Sequence, residues 1–140
     1  MLMYHKILET ATPPMRQSEK SVGYDLASAL DYVLPPHTYT RIRTGLSLTP
    51  PDGYWLMVTL RSSMGKQVML ANGVGIIDPD YCGPEDEIQI ALRNVSAEDV
   101  IIQQGQRIAQ AILLPVAVPA VMPSRSTFAN RGGFGSTGCV

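Results

Sequence analysis

Cysteine is scarce in this chain, with Cys82 and Cys139 the only two among 140 residues. Two thiols cannot form a disulfide framework, and their spacing does not match a metal-binding motif. No apolar run is long enough to span a membrane, and the first ten residues, MLMYHKILET, include a lysine and a histidine where a signal peptide would be apolar. We therefore expect a soluble intracellular, cytoplasmic protein with free thiols and no membrane partner.

An excess of charge of one sign is also missing. The chain has 11 basic and 12 acidic residues, and its pI is about 6.1. A protein that binds nucleic acid through a broad face needs a clear excess of Lys and Arg. We therefore expect no nucleic-acid partner, and we expect any phosphate to be bound by a few arginines and backbone N–H groups.

The pattern of prolines and glycines indicates an all-β domain. A chain of 140 residues with 45% apolar residues can form one domain around one core. Its 11 prolines and 12 glycines separate short segments that are rich in Val, Ile, Leu, Thr and Tyr. Residues 87–94, EIQIALRN, alternate in polarity as a half-buried strand does. The other predicted strands are residues 40–50, 53–60 and 106–118.

The regions outside the strands contain two further features. Residues 61–67, RSSMGKQ, are the one candidate for a short helical turn, with Ser62 or Ser63 as its N-cap. From residue 124 the chain is polar and glycine-rich, so it can contribute little to a core. We therefore divide the chain into a domain at 1–123 and a C-terminal arm at 124–140. This arm either orders on a ligand or a neighbouring subunit, or is a disordered tail.

The segment GVGIIDPDY, residues 73–81, can carry chemistry. Its two glycines allow a close approach of the backbone to a ligand, and two isoleucines precede Asp78. A carboxylate at the edge of an apolar strand is a candidate general base, because it can orient a water molecule. The alternative is an ordinary Asp-Pro turn that closes a hairpin, with Asp78 and Asp80 as its caps.

Two other segments are suited to binding phosphate. RSSMG, residues 61–65, combines an arginine, two hydroxyls and a glycine at the end of a predicted strand. The arm segment RGGFGSTG, residues 131–138, offers an arginine, flexible backbone donors and one aromatic ring. The alternatives are a helix cap beside a solvated arginine and a plain disordered tail. GYDLASA (23–29) and GQRIAQ (105–110) are weaker signals, since Asp25 and Gln110 fit a strand end equally well.

Together, and in this order, the five segments resemble the motifs of the trimeric dUTP pyrophosphatase (dUTPase) family. TGLSLTP, between the first two, is similar to that family as well. The resemblance implies an all-β, jelly-roll-like barrel with at most one short helix. It also implies a homotrimer whose active sites are each built from three subunits and capped by the C-terminal arm of one. The activity that it implies is the hydrolysis of dUTP to dUMP and pyrophosphate.

The same resemblance implies a role for each site residue. Asp78 would deprotonate the water that attacks the α-phosphorus, and Tyr81 would pack under the deoxyribose and exclude a 2′-hydroxyl. The uracil edge would be read by Asn72 and the backbone of residues 73–77, which include Gly73, Val74 and Ile77. The phosphate chain would be held by Arg61, Ser62, Ser63, Gly65 and Gln110. In the arm, Phe134 would stack on uracil, and the residues near the γ-phosphate would be Arg131, Gly135, Ser136 and Thr137.

The resemblance further implies one Mg²⁺ ion, bound mainly through the substrate phosphates and water. Asp25 would contact this ion indirectly at most, and its alternative role is a structural hydrogen bond. The chain departs from the family pattern in three places. The segment between Arg61 and Asn72 is about two residues shorter than in the family, and residues 82–86 lengthen the hairpin after Tyr81. Arg131 is also closer to Phe134 in sequence than is usual, so Arg125 is an alternative contact for the γ-phosphate.

Two alternative functions remain open at the level of the sequence. The dCTP deaminases share the fold, but Lys66 and Ala91 stand where that class carries an arginine and a catalytic glutamate. Without the glutamate, no evident group shuttles protons. The second alternative is a regulatory binding protein with the dUTPase fold.

Overall fold

The computed structural model describes residues 1–117, 120–123, 129 and 132, and nearly all the regular structure in them is β. One 3-10 turn, Ser62–Met64, interrupts the strands. The predicted all-β class with one short helical turn is therefore confirmed. The described strands, in chain order, are β1 (Met3–Lys6), β2 (Gly23–Ala27), β3 (Tyr32–Leu34), β4 (Tyr39–Arg43), β5 (Leu46–Thr49), β6 (Tyr54–Leu60), β7 (Val68–Leu70), β8 (Gly75–Ile77), β9 (Gln89–Asn94), β10 (Val100–Ile102) and β11 (Arg107–Pro115).

The strands form antiparallel sheets around a single core, as in a jelly roll. The largest sheet has the order β2-β11-β6-β8, and a second sheet has the order β4-β9-β7. Two further pairs, β1-β5 and β10-β3, complete the described part. Most neighbours in these sheets are distant in sequence, which is typical of jelly rolls. The core contains fully buried side chains from both larger sheets, among them Leu26, Leu56, Ile42 and Ile90.

The predicted alternation of residues 87–94 is confirmed. Ile88, Ile90 and Leu92 are at most 1% exposed and belong to the core. Since successive side chains of a strand point to opposite faces, the intervening residues face away from that core. Glu87 is nevertheless buried, because it forms an ion pair with Arg43.

Several predicted boundaries were wrong. Residues 40–50 form two strands, because Gly45 turns the chain with a φ of +67°. A Cβ at Gly45 would lie 2.9 Å from the Cβ atoms of Leu8 and Ala11, so only glycine fits there. The last strand ends at Pro115 rather than at residue 118. The N-cap of the 3-10 turn is Arg61, not a serine, and it makes no side-chain capping bond.

The connection after Tyr81 is not a hairpin. Strand β8 pairs with β6, whereas β9 pairs with β4 and β7. Residues 78–88 therefore cross from one sheet to the other, and the extra residues at 82–86 lie in this crossing. Within the residues that the structure describes, no helix is long and apolar enough to cross a membrane.

Candidate functional site

The predicted site residues form two groups on either side of strand β6, and Asp78 and Arg61 lie at its opposite ends. The first group, here named the arginine cleft, contains Asp25, Arg61, Ser62 and Gln110. The second group, here named the β8 edge, contains Asn72, residues 73–78 and Tyr81. The structure brings the residues of the arginine cleft together, but within one chain it holds Arg61 far from Asp78.

The arginine cleft is organised around the carboxylate of Asp25, which is 7% exposed. Arg61 Nε lies 3.2 Å from Asp25 Oδ1, and Arg107 Nη1 lies 3.6 Å from Oδ2. Gln17 Nε2 donates a hydrogen bond of 2.7 Å to the same Oδ2. Two guanidinium groups thus share one carboxylate, which leaves a local excess of positive charge suited to an anion.

Strand pairing explains this arrangement. Strand β11 lies between β2 and β6, so Gln110 is directly opposite both Asp25 and Thr59. Arg61 follows the last residue of β6, and its backbone N–H donates to the carbonyl of Ile108 at 3.0 Å. The cleft between these elements has a volume of about 260 Å³. Its lining includes Gln17, Gly23, Asp25, Arg61, Ser62 and Gln110.

The 3-10 turn after Arg61 presents polar groups beside this cleft. Ser62, Ser63 and Gly65 are all exposed. In the part of the chain that the structure describes, neither serine hydroxyl forms a hydrogen bond with the protein. These hydroxyls and the Arg61 guanidinium therefore offer polar contacts to an anionic ligand, and their role in binding phosphate stays a prediction.

The described residues of this cleft do not form a metal site of their own. The described residues contain no group of three or more His, Cys, Asp or Glu side chains that could hold an ion. Both oxygens of Asp25 are already within contact distance of cationic or amide groups. Direct binding of a cation by Asp25 would have to displace them, so the structural role of Asp25 left open by the sequence is the one observed.

The β8 edge is an open sheet edge in the described part of the chain. Among the described strands, β8 is the last of its sheet, so the side of its backbone that faces away from β6 has no partner strand there. A slot of about 80 Å³ opens beside it, where the two larger sheets diverge. The slot is lined by Val58, Leu70, Asn72, Gly75, Ile76, Ile77, Gln89, Ile90 and Ala91. Such an edge can pair with the polar edge of a flat ring.

Glycines shape the entrance to this slot. Gly73 has a φ of +74°, and the N–H of Val74 donates to the carbonyl of Asn72 at 2.8 Å. Gly75 is buried against β6, where an added Cβ would lie 3.0 Å from the Cβ of Val58. Asn72 and Val74 are exposed at the turn, and Ile77 is half-buried at the end of β8.

Asp78 follows β8 directly and is exposed. Its carbonyl accepts a hydrogen bond of 3.1 Å from the Tyr81 N–H, which closes a turn. Among the described residues, the carboxylates of Asp78 and Asp80 make no hydrogen bond or salt bridge, so neither acts as a cap. The Asp78 carboxylate is free to bind a water molecule.

Tyr81 is held at both ends. Its hydroxyl donates a hydrogen bond of 3.1 Å to the carbonyl of Glu87, while its N–H bonds to Asp78. Tyr81 as a residue is still 41% exposed, so part of its surface is open to a ligand. Cys82, the next residue, is a half-buried free thiol.

Sequence reasoning missed four residues around the two groups, namely Gln17, Arg107, Arg43 and Glu87. Arg107 stands inside GQRIAQ, and its position at the first residue of the apolar strand β11 was a usable signal. The pairing of Arg43 with Glu87 spans 44 residues and has no signal in the sequence. A hydrogen bond from Arg43 to the Glu87 carboxylate raises the pKa of Arg43 above its usual value, so this guanidinium stays charged at every physiological pH.

The distance between the groups follows from the strand register. Ile77 is opposite Leu56, so Asp78 lies beside Trp55, whereas Arg61 follows the other end of β6. Six residues of extended chain separate these positions, which corresponds to about 20 Å. The predicted arm contacts, Arg131, Phe134, Gly135, Ser136 and Thr137, lie outside the described residues, and so does Arg125.

Comparison with known proteins adds three findings. The family model described as dUTPase matches residues 9–138. A deoxyuridine 5′-triphosphate nucleotidohydrolase of Paramecium bursaria Chlorella virus 1 is 38% identical over 98% of this chain and 97% of its own length. The enzyme of the same name from Oryza sativa subsp. japonica is 36% identical over 99% of this chain and 81% of its own length.

The fold is similar to that of solved structures as well. A mutant dUTPase from phage phi11 of S. aureus superposes with a TM-score of 0.82, covering 92% of this chain and 99% of the phage chain, at 22% identity. That phage structure is described as revealing the coordination of a structural Mg(II) ion. At this identity the likeness concerns the fold alone.

Proposed function

The chain belongs to the dUTPase family, and we propose that it hydrolyses dUTP to dUMP and pyrophosphate at sites shared between subunits. Asp78 deprotonates and orients a water molecule, whose oxygen attacks the α-phosphorus. The bond between the α-phosphorus and the bridging oxygen breaks, and pyrophosphate leaves with that oxygen. The observation that carries this assignment is the exposed carboxylate of Asp78, which has no polar partner among the described residues and follows the last strand of its sheet.

The separation of the two residue groups supports shared sites. In this proposal Asp78 acts on the α-phosphorus while Arg61 and Ser62 hold the α- and β-phosphates. These roles require the groups to lie within a few ångströms of one phosphate, but one chain holds Asp78 and Arg61 about 20 Å apart. The arginine cleft of one subunit must therefore meet the β8 edge of another.

An apolar surface between the two groups supports a trimer. Ile76, Met57 and Ile112 are paired across β8, β6 and β11 and share the face of the sheet that points away from the core. Ile76 is 65% exposed, and the other two are half-buried. An apolar row on the outer face of a sheet is stabilised when another subunit covers it. We propose a homotrimer, in which the third subunit contributes the arm at 124–140 to each site.

The slot at the β8 edge accounts for selection of uracil in this proposal. Asn72 and the backbone of residues 73–77 would pair with the polar edge of the base. Cytosine presents a donor where uracil presents an acceptor, so it would leave backbone groups unpaired, at a cost of about 1–3 kcal/mol for each buried group. Tyr81 would pack beneath the sugar and leave no room for a 2′-hydroxyl.

The phosphate chain would occupy the arginine cleft. Arg61 and the hydroxyls of Ser62 and Ser63 are positioned for the α- and β-phosphates, with Gly65 in the same turn and Gln110 across the cleft. In the arm, Phe134 would stack on the base, and Arg131, Gly135, Ser136 and Thr137 would surround the γ-phosphate. Arg125 stays the alternative to Arg131.

We propose Mg²⁺ as the cofactor, arriving with the nucleotide. When bound, the ion neutralises the phosphate charge. Asp25 would support the phosphate subsite by fixing the guanidinium of Arg61, with any contact to the ion running through water. A cytoplasmic location is part of the same proposal, and cell fractionation would test it.

Deamination of dCTP fits the structure less well. Ala91, which replaces the glutamate of that class, lines the slot and cannot transfer a proton. The nearby carboxylate of Glu87 is occupied by Arg43 and by the N–H of Gly45, so it cannot take over this role. A regulatory binding role would not require the free carboxylate of Asp78.

The experiment is a substrate panel. Purified protein with Mg²⁺ is given dUTP, dCTP, dTTP or UTP, and release of pyrophosphate and of ammonia is measured. We expect pyrophosphate from dUTP alone and a loss of about 100-fold or more in the Asp78→Asn variant, since general-base catalysis contributes about that much. Ammonia from dCTP would instead identify a deaminase, and full turnover by Asp78→Asn would disprove the role of Asp78.

A further inference from the structure

Glu87 carries a buried carboxylate that the proposed reaction does not use. It lies in the crossing between the two larger sheets, and its side chain is 8% exposed. Its oxygens accept hydrogen bonds from Arg43 Nε at 3.0 and 3.1 Å and from the Gly45 N–H at 2.9 Å. Arg43 Nη2 is 2.9 Å away, and Gln89 Nε2 is 3.4 Å away. One carboxylate therefore collects four donor groups from three different places in the chain.

This carboxylate anchors the segment that holds Tyr81. The backbone carbonyl of Glu87 accepts the hydrogen bond from the Tyr81 hydroxyl. The side chain of Glu87 is held by Arg43 of β4 and by the N–H of Gly45. A second attachment lies just before it, where the Ser47 hydroxyl donates to the Gly83 carbonyl at 2.7 Å. The position of Tyr81 thus depends on Glu87, Gly45 and Ser47, none of which lines the slot.

The energetics favour a role in conformation over a role in stability alone. Desolvating a carboxylate and a guanidinium costs several kcal/mol, and their attraction often no more than offsets this cost. A buried ion pair is therefore a weak source of net stability. It does fix one geometry, because any other position of the segment would leave a buried charge unpaired.

We propose that Glu87 is a positioning residue for Tyr81, and that through the Tyr81 ring it sets the discrimination between deoxyribose and ribose. This inference rests on the proposed function, in which that ring packs beneath the sugar. A tyrosine held at both its backbone N–H and its hydroxyl cannot move its ring away to admit a 2′-hydroxyl. A ring released at the hydroxyl end can tilt, so UTP gains access.

The experiment compares kcat/KM for dUTP with kcat/KM for UTP in the wild type and in Glu87→Gln. The glutamine side chain has nearly the same volume as glutamate, but its NH2 group would face the N–H donors of Arg43 or Gly45. The segment must therefore shift. We expect the dUTP:UTP ratio to fall about 3- to 10-fold, the range that corresponds to one hydrogen bond. Glu85→Gln is the matched control. It neutralises an exposed carboxylate in the same segment, and its ratio should equal that of the wild type.

A double-variant cycle separates positioning from general loosening. Tyr81→Phe removes the hydroxyl bond and should lower the ratio by itself. If Glu87 acts through that hydroxyl, Glu87→Gln should lower the ratio little further in the Tyr81→Phe background, whereas independent effects would multiply. The proposal would be overturned if the two variants lowered the dUTP:UTP ratio independently, or if Glu87→Gln left the ratio unchanged. Either result would count even if the melting temperature of Glu87→Gln fell.

Two further results keep the outcomes distinct. Should Glu87→Gln fail to fold, Arg43→Lys replaces it in the cycle, because lysine keeps the charge but cannot reproduce the paired contacts of a guanidinium. If the wild type does not hydrolyse dUTP at all, the proposed function fails and this inference falls with it. If the wild type is active and the ratio does not respond, only the role of Glu87 is refuted.

Discussion

Mixing two inactive variants tests whether each site is shared between subunits. Asp78→Asn removes the general base at the β8 edge, and Arg61→Ala removes the guanidinium of the arginine cleft. Each variant should be inactive by itself. The register of β6 places the two residues about 20 Å apart in one chain, so a productive site must take Asp78 from one subunit and Arg61 from another.

The size of the recovered activity follows from this geometry. In randomly mixed oligomers from equal amounts of the two variants, half of the sites receive an intact Asp78, and half of those also receive an intact Arg61. About one quarter of the wild-type activity should therefore return if neighbouring subunits share each site. If both residues acted from the same chain, no intact site would form, and recovery would be zero.

The assay is pyrophosphate release after the variants are unfolded together and refolded, with native mass spectrometry to show that mixed oligomers are present. The control mixes wild type with the double variant Asp78→Asn, Arg61→Ala. Shared sites predict that its activity falls from about one half before exchange to about one quarter after it, whereas sites within one chain predict no change. Mixed oligomers without recovered activity would refute the shared site.

Four further perturbations test other parts of the structure. Gly23→Ala places a Cβ 3.1 Å from the Cβ and Cδ atoms of Gln110, so the Gln110 side chain must move. We expect kcat/KM for dUTP to fall about 10-fold, because the contact of Gln110 with phosphate is lost. An unchanged kcat/KM would exclude Gln110 from the site. Asn94→Ala should lower the free energy of unfolding, measured in urea, by about 2–4 kcal/mol and change kcat little. The reason is that the fully buried Asn94 side-chain amide donates hydrogen bonds to the carbonyls of Leu34 and Glu98. Calorimetry with MgCl2 should show no binding to the protein unless nucleotide is present, and tight binding to the protein alone would contradict delivery with the substrate. Deleting residues from 131 onward should leave a folded trimer with most of its turnover lost, and dissociation into monomers would instead assign the arm a structural role.

The sequence alone was sufficient for the fold class, and it named candidate residues in both groups while missing the partners that hold them. Alternating polarity and the density of proline and glycine act locally, so they predicted the strand at 87–94 and the short turn after Arg61. The order of five motifs indicated the family, which the comparisons confirmed. These signals are readable because each lies within a few neighbouring residues.

Other features were decided by the tertiary structure, because they depend on groups that are distant in the chain. The break at Gly45 depends on the approach of Leu8 and Ala11, and the fixed position of Tyr81 depends on Glu87, whose partner Arg43 is 44 residues away. The structure also placed Asp78 and Arg61 at opposite ends of β6, which motif order could not reveal. Strand register sets that separation, and register is a property of the paired sheet rather than of any one segment.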